Sequence, residues 1–264
     1  MLRGAEQDRR VFAGLVRYLN RKETGPRFSG QMMLDIGMFF LGTPYREGTL
    51  ESESPETLVV NLREFDCMTF AETVVALACL MKSRETSFER FRSLLQKIRY
   101  RAGRLQGYAS RLHYFSDWVY DNQKKGVVRD VTADVGGRPF RKAIDFMTTH
   151  PDVYPPLKDP VNLSRMKAVE KTISLRSVFF IPKKALKRLE DRIHDGDLIA
   201  ITTNAEGLDV QHVGFAARLK HRIHLLHASG KEGKVVLSKK TLYRHLMQSR
   251  MRSGVMVVRI LGKR

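Results

Sequence analysis

The sequence predicts an α+β fold built on an antiparallel sheet. Two observations carry that expectation. Apolar residues recur at helical spacing through the first third of the chain, and the last third holds short β-rich runs separated by Gly or charged turns. In order, residues 8–19 form a helix with Val11, Leu15, Val16, Tyr18 and Leu19 on one face, ended by Gly25-Pro26. A second helix spans Ser29 to Phe40. Gly42-Thr43-Pro44-Tyr45 is a turn leading through Gly48-Thr49-Leu50-Glu51 to a short strand at 57–61. The next helix begins at Cys67 and carries Phe70, Val74, Leu77, Ala78 and Met81 as a core-facing stripe, with Asp66 as its N-cap. Phe88–Arg101 and Ser110–Asn122 read as helices, and Pro151–Pro160 must be a loop. Leu198–Ile201, Val210–Ala217, Ile223–Ala228, Lys234–Leu237 and Val255–Ile260 read as strands, with a helix at 239–248 before the last.

The chain reads as a single catalytic domain over 1–264. N-terminal helices occupy 1–41, the region around Cys67 occupies 42–83, a mainly helical insertion runs over 84–190, and the sheet fills 191–264. At 264 residues and 42% hydrophobic content, there is enough apolar surface for a full core. No apolar stretch approaches the roughly 20 residues of a membrane span. The N-terminus lacks the apolar core of a signal peptide, so the protein is cytoplasmic unless a leader has been removed. The net charge is +19, from 47 Lys+Arg against 28 Asp+Glu. Such a field draws polyanions such as nucleic acid, an anionic membrane surface or an acidic wall polymer. The basic residues are nevertheless scattered. The densest runs, Lys183-Lys184-Ala185-Leu186-Lys187-Arg188 and Lys239-Lys240, form no nucleic-acid module, and no nucleic-acid partner is expected.

Cys67 lies in Asp66-Cys67-Met68-Thr69-Phe70, at the first turn of its helix. Unpaired N–H groups and the positive end of the macrodipole there favour a thiolate. Cys79 is twelve residues on in the same helix. At about 1.5 Å per residue it lies roughly 18 Å away, too far for a disulfide, and it reads as a small core residue.

The base for such a thiol sits in two strands, in Gln211-His212-Val213-Gly214-Phe215 and Leu225-Leu226-His227-Ala228-Ser229. A hairpin turning at Leu219-Lys220 sets His212 directly opposite His227, Cβ atoms about 4.5–5.5 Å apart. That register supplies a base and an orienting partner, and Gly214 would leave room for the Cys67 helix. One Cys and two His could contribute to a zinc site, but the close-spaced ligand pairs of structural sites are missing, so neither metal nor cofactor is expected.

Seven motifs then carry a resemblance: Gly42-Thr43-Pro44-Tyr45, Gly48-Thr49-Leu50-Glu51, Asn61-Leu62-Arg63 with Asp66–Phe70, Arg111–Trp118, Gly196-Asp197, Gly207–Gly214 and His227-Ala228-Ser229. In this order they resemble the N-acetylmuramoyl-L-alanine amidase-like family, also called DUF1460, which is similar to the NlpC/P60 cysteine peptidases. The resemblance implies a papain-like core, with the nucleophile at a helix N-terminus packed on an antiparallel sheet, and a bacterial peptidoglycan amidohydrolase. It implies Cys67 as nucleophile, His212 as general base and then acid, and His227 as the residue that orients His212. Tyr45 matches a tyrosine near the nucleophile.

Arg111 and His113 are candidate substrate contacts, a carboxylate clamp beside Trp118, although on a helix His113 and Asp117 share a face and can pair with each other. Asp209 and Ser229 are further candidates for lining the site. The substrate so implied is peptidoglycan or a muropeptide, whose stem carboxylates suit the +19 charge, and the location is the cell envelope or periplasm if a leader was removed. The family name favours the amide between N-acetylmuramic acid and L-Ala. NlpC/P60 enzymes instead often cut between D-Glu and the diamino acid. A reading of another class is a non-catalytic basic module that binds an anionic polymer. Oligomeric state is not legible.

Overall fold

The computed structural model describes residues 2–22, 30–51, 55–83 and 85–261. The expected helix stop at Gly25-Pro26 and the helix start at Ser29 lie outside the described residues.

The architecture follows from one strand. β4 (Leu198–Thr203) is buried at every position. Its side chains alternate between faces, so Leu198 and Ala200 enter one core while Ile199 and Ile201 enter another. An antiparallel strand that is apolar on both faces requires a layer on each side.

The sheet has eight strands. The others are β1 (Val128–Asp130), β2 (Arg138–Phe140), β3 (Val178–Pro182), β5 (Val210–Leu219), β6 (Arg222–Ser229), β7 (Lys234–Thr241) and β8 (Arg252–Ile260). Their order is β2-β3-β8-β4-β5-β6-β7, with β1 on β8. Every pair is antiparallel.

The larger core lies between one face of the sheet and α1 (Leu2–Arg21), α2 (Gly30–Phe39), α3 (Cys67–Met81), α4 (Phe88–Arg99) and α5 (Phe115–Lys124). The opposite face is covered by α6 (Thr132–Val135), α9 (Lys183–Leu189) and α10 (Leu242–Met247), through Val135, Leu186, Leu242 and Leu246. A third cluster joins Tyr108 and Tyr114 to α7 (Phe146–Thr149) and α8 (Pro160–Ser174). Its polar centre is the buried carboxylate of Glu170, which accepts from Tyr114 Oη at 2.6 Å and Thr148 N at 3.1 Å. Among the described residues no helix is long and apolar enough to cross a membrane.

α3 is the central helix. Thr69 through Ala78 are buried without a break, so the expected single stripe is in fact an all-round buried surface. Its Glu72 carboxylate pairs with Arg99 Nε at 2.6 Å, both side chains being 3% exposed. A relay of aromatic rings fixes its N-terminal turn. Phe40 meets Phe65 at 5.1 Å, Phe65 meets Phe70 at 5.7 Å, and Phe70 meets Phe215 at 5.8 Å, all edge to face. Each such pair contributes about 0.5–1.5 kcal/mol beyond its buried area. The relay ties α2, the segment before Cys67, α3 and β5 together.

The structure corrects several sequence expectations. Residues 57–61 are extended but join no ladder. Arg99 Nη1 bonds Val59 O at 2.6 Å and Tyr100 Oη bonds Thr57 O at 3.1 Å, so side chains hold that segment. The mainly helical insertion contributes β1, β2 and β3 to the sheet. The helix expected from Ser110 begins only at Phe115, and the one expected from 239 begins at Leu242, because β7 continues to Thr241. The loop expected at Pro151–Pro160 includes two short 3-10 turns and ends at Asp159, since Pro160 opens α8.

Candidate active site

Cys67 is the first residue of α3, and Asp66 caps the helix reciprocally. Thr69 N donates to Asp66 Oδ1 at 2.7 Å, and Asp66 N donates to Thr69 Oγ1 at 2.9 Å. The segment leading in is clamped from outside. Phe65 N donates to Pro44 O at 3.0 Å, Arg46 N to Phe65 O at 2.9 Å, and Tyr45 N to Gly233 O at 2.9 Å. The turn at 42–45 thus bridges the start of β7 to the start of α3. Tyr45 is held by the same bridge. Its hydroxyl donates to Glu47 at 2.9 Å and its ring lies against Gly230, where a Cβ would sit 3.2 Å from it.

Cys67 is half-buried, and its thiol lies where β5 and β6 part. The β5–β6 ladder runs from the turn back to Phe215–Leu226 and stops there. β5 continues on β4 alone, with Ile201 opposite His212, and β6 continues on β7 alone, with Val236 opposite His227. The backbone of Val213 reaches the thiol in that gap, together with the backbones of Cys67 and Met68. A thiolate only accepts hydrogen bonds, so these act as N–H donors that favour it. They do not prevail. Burial first, and the Asp66 carboxylate second, push the thiol up to about 12. The helix-start thiolate expected from sequence is therefore not the resting form.

His212 and His227 are joined directly. His212 Nε2 and His227 Nδ1 are 2.7 Å apart, with the rings perpendicular. They are not opposite each other, and this corrects the register. The turn falls on Lys220 and His221, both left-handed with φ of 45° and 65°, so pairs such as Phe215–Leu226 are shifted by two residues from the expected alignment. A shift of two keeps each side chain on its face, so the histidines meet diagonally. Gly214 makes room for His227 rather than for the Cys67 helix. A Cβ there would stand 2.8 Å from His227 Cβ.

Burial drives both histidines toward neutrality, His212 to about 3 and His227 to about 4. His227, His245 and Arg252 add to the effect at His212. If His212 Nε2 carries the proton and donates it to His227, then His212 Nδ1 is a lone pair, and among the described residues it makes no hydrogen bond. That is the arrangement of a base. No hydrogen bond joins the Cys67 thiol to His212 in this resting geometry.

A third histidine, absent from the sequence reading, completes the cluster. His245 of α10 stands with its ring 6.4 Å from that of His212 and 6.1 Å from that of His227. Among the described residues no group of three His, Cys, Asp or Glu is set to hold a metal ion. Helical spacing in Leu242-Tyr243-Arg244-His245-Leu246 could have shown that His245 lies off the apolar stripe, but not which strand it faces.

The remaining candidates are tied into the scaffold. Arg111 is 6% exposed and pairs with Glu51 at 2.9 Å and Glu56 at 3.3 Å. His113 is held by Tyr108 O at 2.9 Å and kept neutral by burial and by Arg111. Since α5 starts at Phe115, neither residue is on the helix, and Asp117 pairs with Arg101 and Arg176 instead of His113. Asp209 accepts from Ser116 N and Val210 N, both at 2.7 Å, and so caps α5 from the loop before β5. Ser229 Oγ accepts from Glu232 N at 3.2 Å within the β6–β7 turn.

Comparison with known proteins shows the family and the fold. The sequence matches the N-acetylmuramoyl-L-alanine amidase-like family over residues 35–255. A crystal structure of an N-acetylmuramoyl-L-alanine amidase from Bacteroides uniformis is 40% identical. The match covers 88% of this chain and 99% of that one, with a TM-score of 0.84. A protein from Bacteroides fragilis described as a putative xylanase is 41% identical, over 84% of this chain and 98% of that one, with a TM-score of 0.79. A Legionella pneumophila protein of the DUF1460 family is 25% identical, over 99% and 97% of the two chains, with a TM-score of 0.73. No curated protein matches the sequence.

Proposed function

The chain belongs to the N-acetylmuramoyl-L-alanine amidase-like family, and from that premise we propose that it hydrolyses an amide of peptidoglycan or of a muropeptide through Cys67, His212 and His227. The observation that carries this reading is the 2.7 Å His212–His227 bond, one residue along β5 from the Val213 backbone that reaches the thiol at the start of the capped helix. We read the whole chain as one catalytic domain with a papain-like core of the NlpC/P60 kind.

The resting pair is a neutral thiol and a neutral imidazole, so proton transfer accompanies attack. As Sγ bonds to the amide carbonyl, His212 Nδ1 takes the thiol proton, and His227 Nδ1 accepts from the imidazolium that forms. The tetrahedral oxyanion is met by the Cys67 N–H at the first helical position, which turns from the sulfur to the oxygen as Sγ bonds to carbon. His212 returns the proton to the leaving amine, the C–N bond breaks, and a thioester remains. Water, deprotonated by His212, then cleaves the thioester and restores the thiol.

The bond cut is that between N-acetylmuramic acid and L-Ala, the activity in the name of the Bacteroides uniformis relative. Mass spectrometry of a digested muropeptide tests it. Free sugar with an intact peptide is the expected pair. Sugar still bearing L-Ala-D-Glu would assign an endopeptidase instead.

A further inference from the structure

Arg252 stands apart from the other partly buried arginines of this protein. Arg99 is matched to Glu72, Arg111 to Glu51 and Arg259 to Asp197. Arg252, half-buried at the first position of β8, has no carboxylate within ion-pair distance among the described residues. Its one hydrogen bond there runs from Nη1 to His245 O. It pairs with Thr203 across an irregularity in the β4–β8 ladder, at the end of the sheet where His212 lies.

Its charge bears on the whole cluster, helping to keep His212, His227 and His245 unprotonated. Lys240, near the end of β7, adds to it at His245. The acids near this end of the sheet are engaged elsewhere: Asp209 caps α5, Glu206 acts with it on Lys142, and Glu232 acts on His227 without bonding Arg252, while no Asp or Glu follows Glu232.

A guanidinium drawn partly out of water without an acid is costly, and its planar fork is the group that grips a carboxylate in two parallel bonds. We infer that Arg252, with Lys240 and His245 beside it, forms an anion subsite that takes a carboxylate of the substrate peptide. This rests on reading Cys67 and His212 as the amide-cleaving pair. For either candidate bond, at most one residue separates the reacting carbonyl from the stem peptide's D-Glu, whose α-carboxylate is the group the subsite fits.

The test uses two synthetic N-acetylmuramoyl tripeptides, one with that carboxylate free and one with it as the carboxamide. The unsubstituted protein favours the carboxylate by about 10- to 100-fold in kcat/KM, expressed mainly in KM, as loss of a charge-assisted bidentate contact implies. Arg252→Gln keeps an N–H donor for His245 O. It raises KM for the carboxylate form and abolishes the preference, while Arg252→Lys recovers part of it. Equal cleavage of both forms by the unsubstituted protein overturns the subsite, as does an equal loss of kcat on both in Arg252→Gln with KM unchanged. Calorimetric binding of L-Ala-D-isoglutamate to Cys67→Ala separates the two claims. Binding that is lost on adding Arg252→Gln supports the subsite even if no substrate is cleaved, an outcome that would sink the amidase reading alone. Equal binding with and without Arg252→Gln overturns the subsite.

Discussion

Replacing His227 by Ala removes the partner of His212 Nε2 and leaves both Cys67 and the His212 ring in place. In the unsubstituted protein that contact is 2.7 Å long and His227 is 5% exposed, so water replaces it poorly. Two losses combine. A hydrogen bond to the imidazolium formed during attack contributes about 1.5–3 kcal/mol, a factor of about 10 to 150. Release of the tautomer that leaves Nδ1 as the lone pair adds to this, and loss of the orienting residue in an analogous triad costs about 10⁴. We expect kcat/KM to fall between about 10²- and 10⁴-fold, with KM nearly unchanged. His227→Asn supplies an acceptor oxygen in a similar place and should recover part of the loss. The assay is product formation from a defined muropeptide by chromatography and mass spectrometry, with thermal melts to confirm folding. Activity in His227→Ala equal to that of the unsubstituted protein, or His227→Asn as inactive as His227→Ala, would refute the orienting role.

Other expectations follow from the same geometry. With His212 at about 3 and the Cys67 thiol at about 12, both stay neutral across the middle of the pH range. Accordingly kcat/KM should show no titration between about pH 5 and 9, and alkylation of Cys67 should keep rising with pH to about 10. A plateau in alkylation below pH 7 would reveal a preformed thiolate–imidazolium pair. His227 titrates at about 4 when folded, below its ordinary value. As pH falls through that window the unfolded chain binds the proton first, so stability is full above about 6.5 and drops by about 3 kcal/mol by pH 4. Denaturant melts of His227→Ala should show a shallower loss. Asp209→Ala removes the cap on α5 and should destabilise by about 1–2 kcal/mol, with KM unchanged on the folded fraction. A large KM effect would make Asp209 a substrate contact.

Much of this was legible because it is local. The Asp66–Cys67 helix start is written in a capping residue and a run of apolar spacing, and the two histidines lie in short β-rich runs separated by turns. What failed depends on distant partners or on unusual turns. Lys220 and His221 adopt left-handed backbone without Gly or Asn, so the hairpin was set two residues off, and only the parity of the sheet kept both histidines on one face. β1, β2 and β3 are three to five residues long and exist because β8 and its neighbours pair with them. Arg111 and His113 read as part of a helix over Ser110–Asn122, but they precede the helix, which starts at Phe115 because distant partners rather than local spacing hold them. His245 and Arg252 reach the histidines from α10 and β8, a juxtaposition that no spacing in the sequence records.

The central claim is that Cys67 is the acylated nucleophile. Rapid quenching of the protein with a muropeptide, followed by intact-mass measurement and peptide mapping, tests it most directly. The account predicts a transient adduct of the sugar-bearing acyl fragment on Cys67, absent in Cys67→Ala, which makes no product. Turnover by Cys67→Ala at the rate of the unsubstituted protein would contradict it.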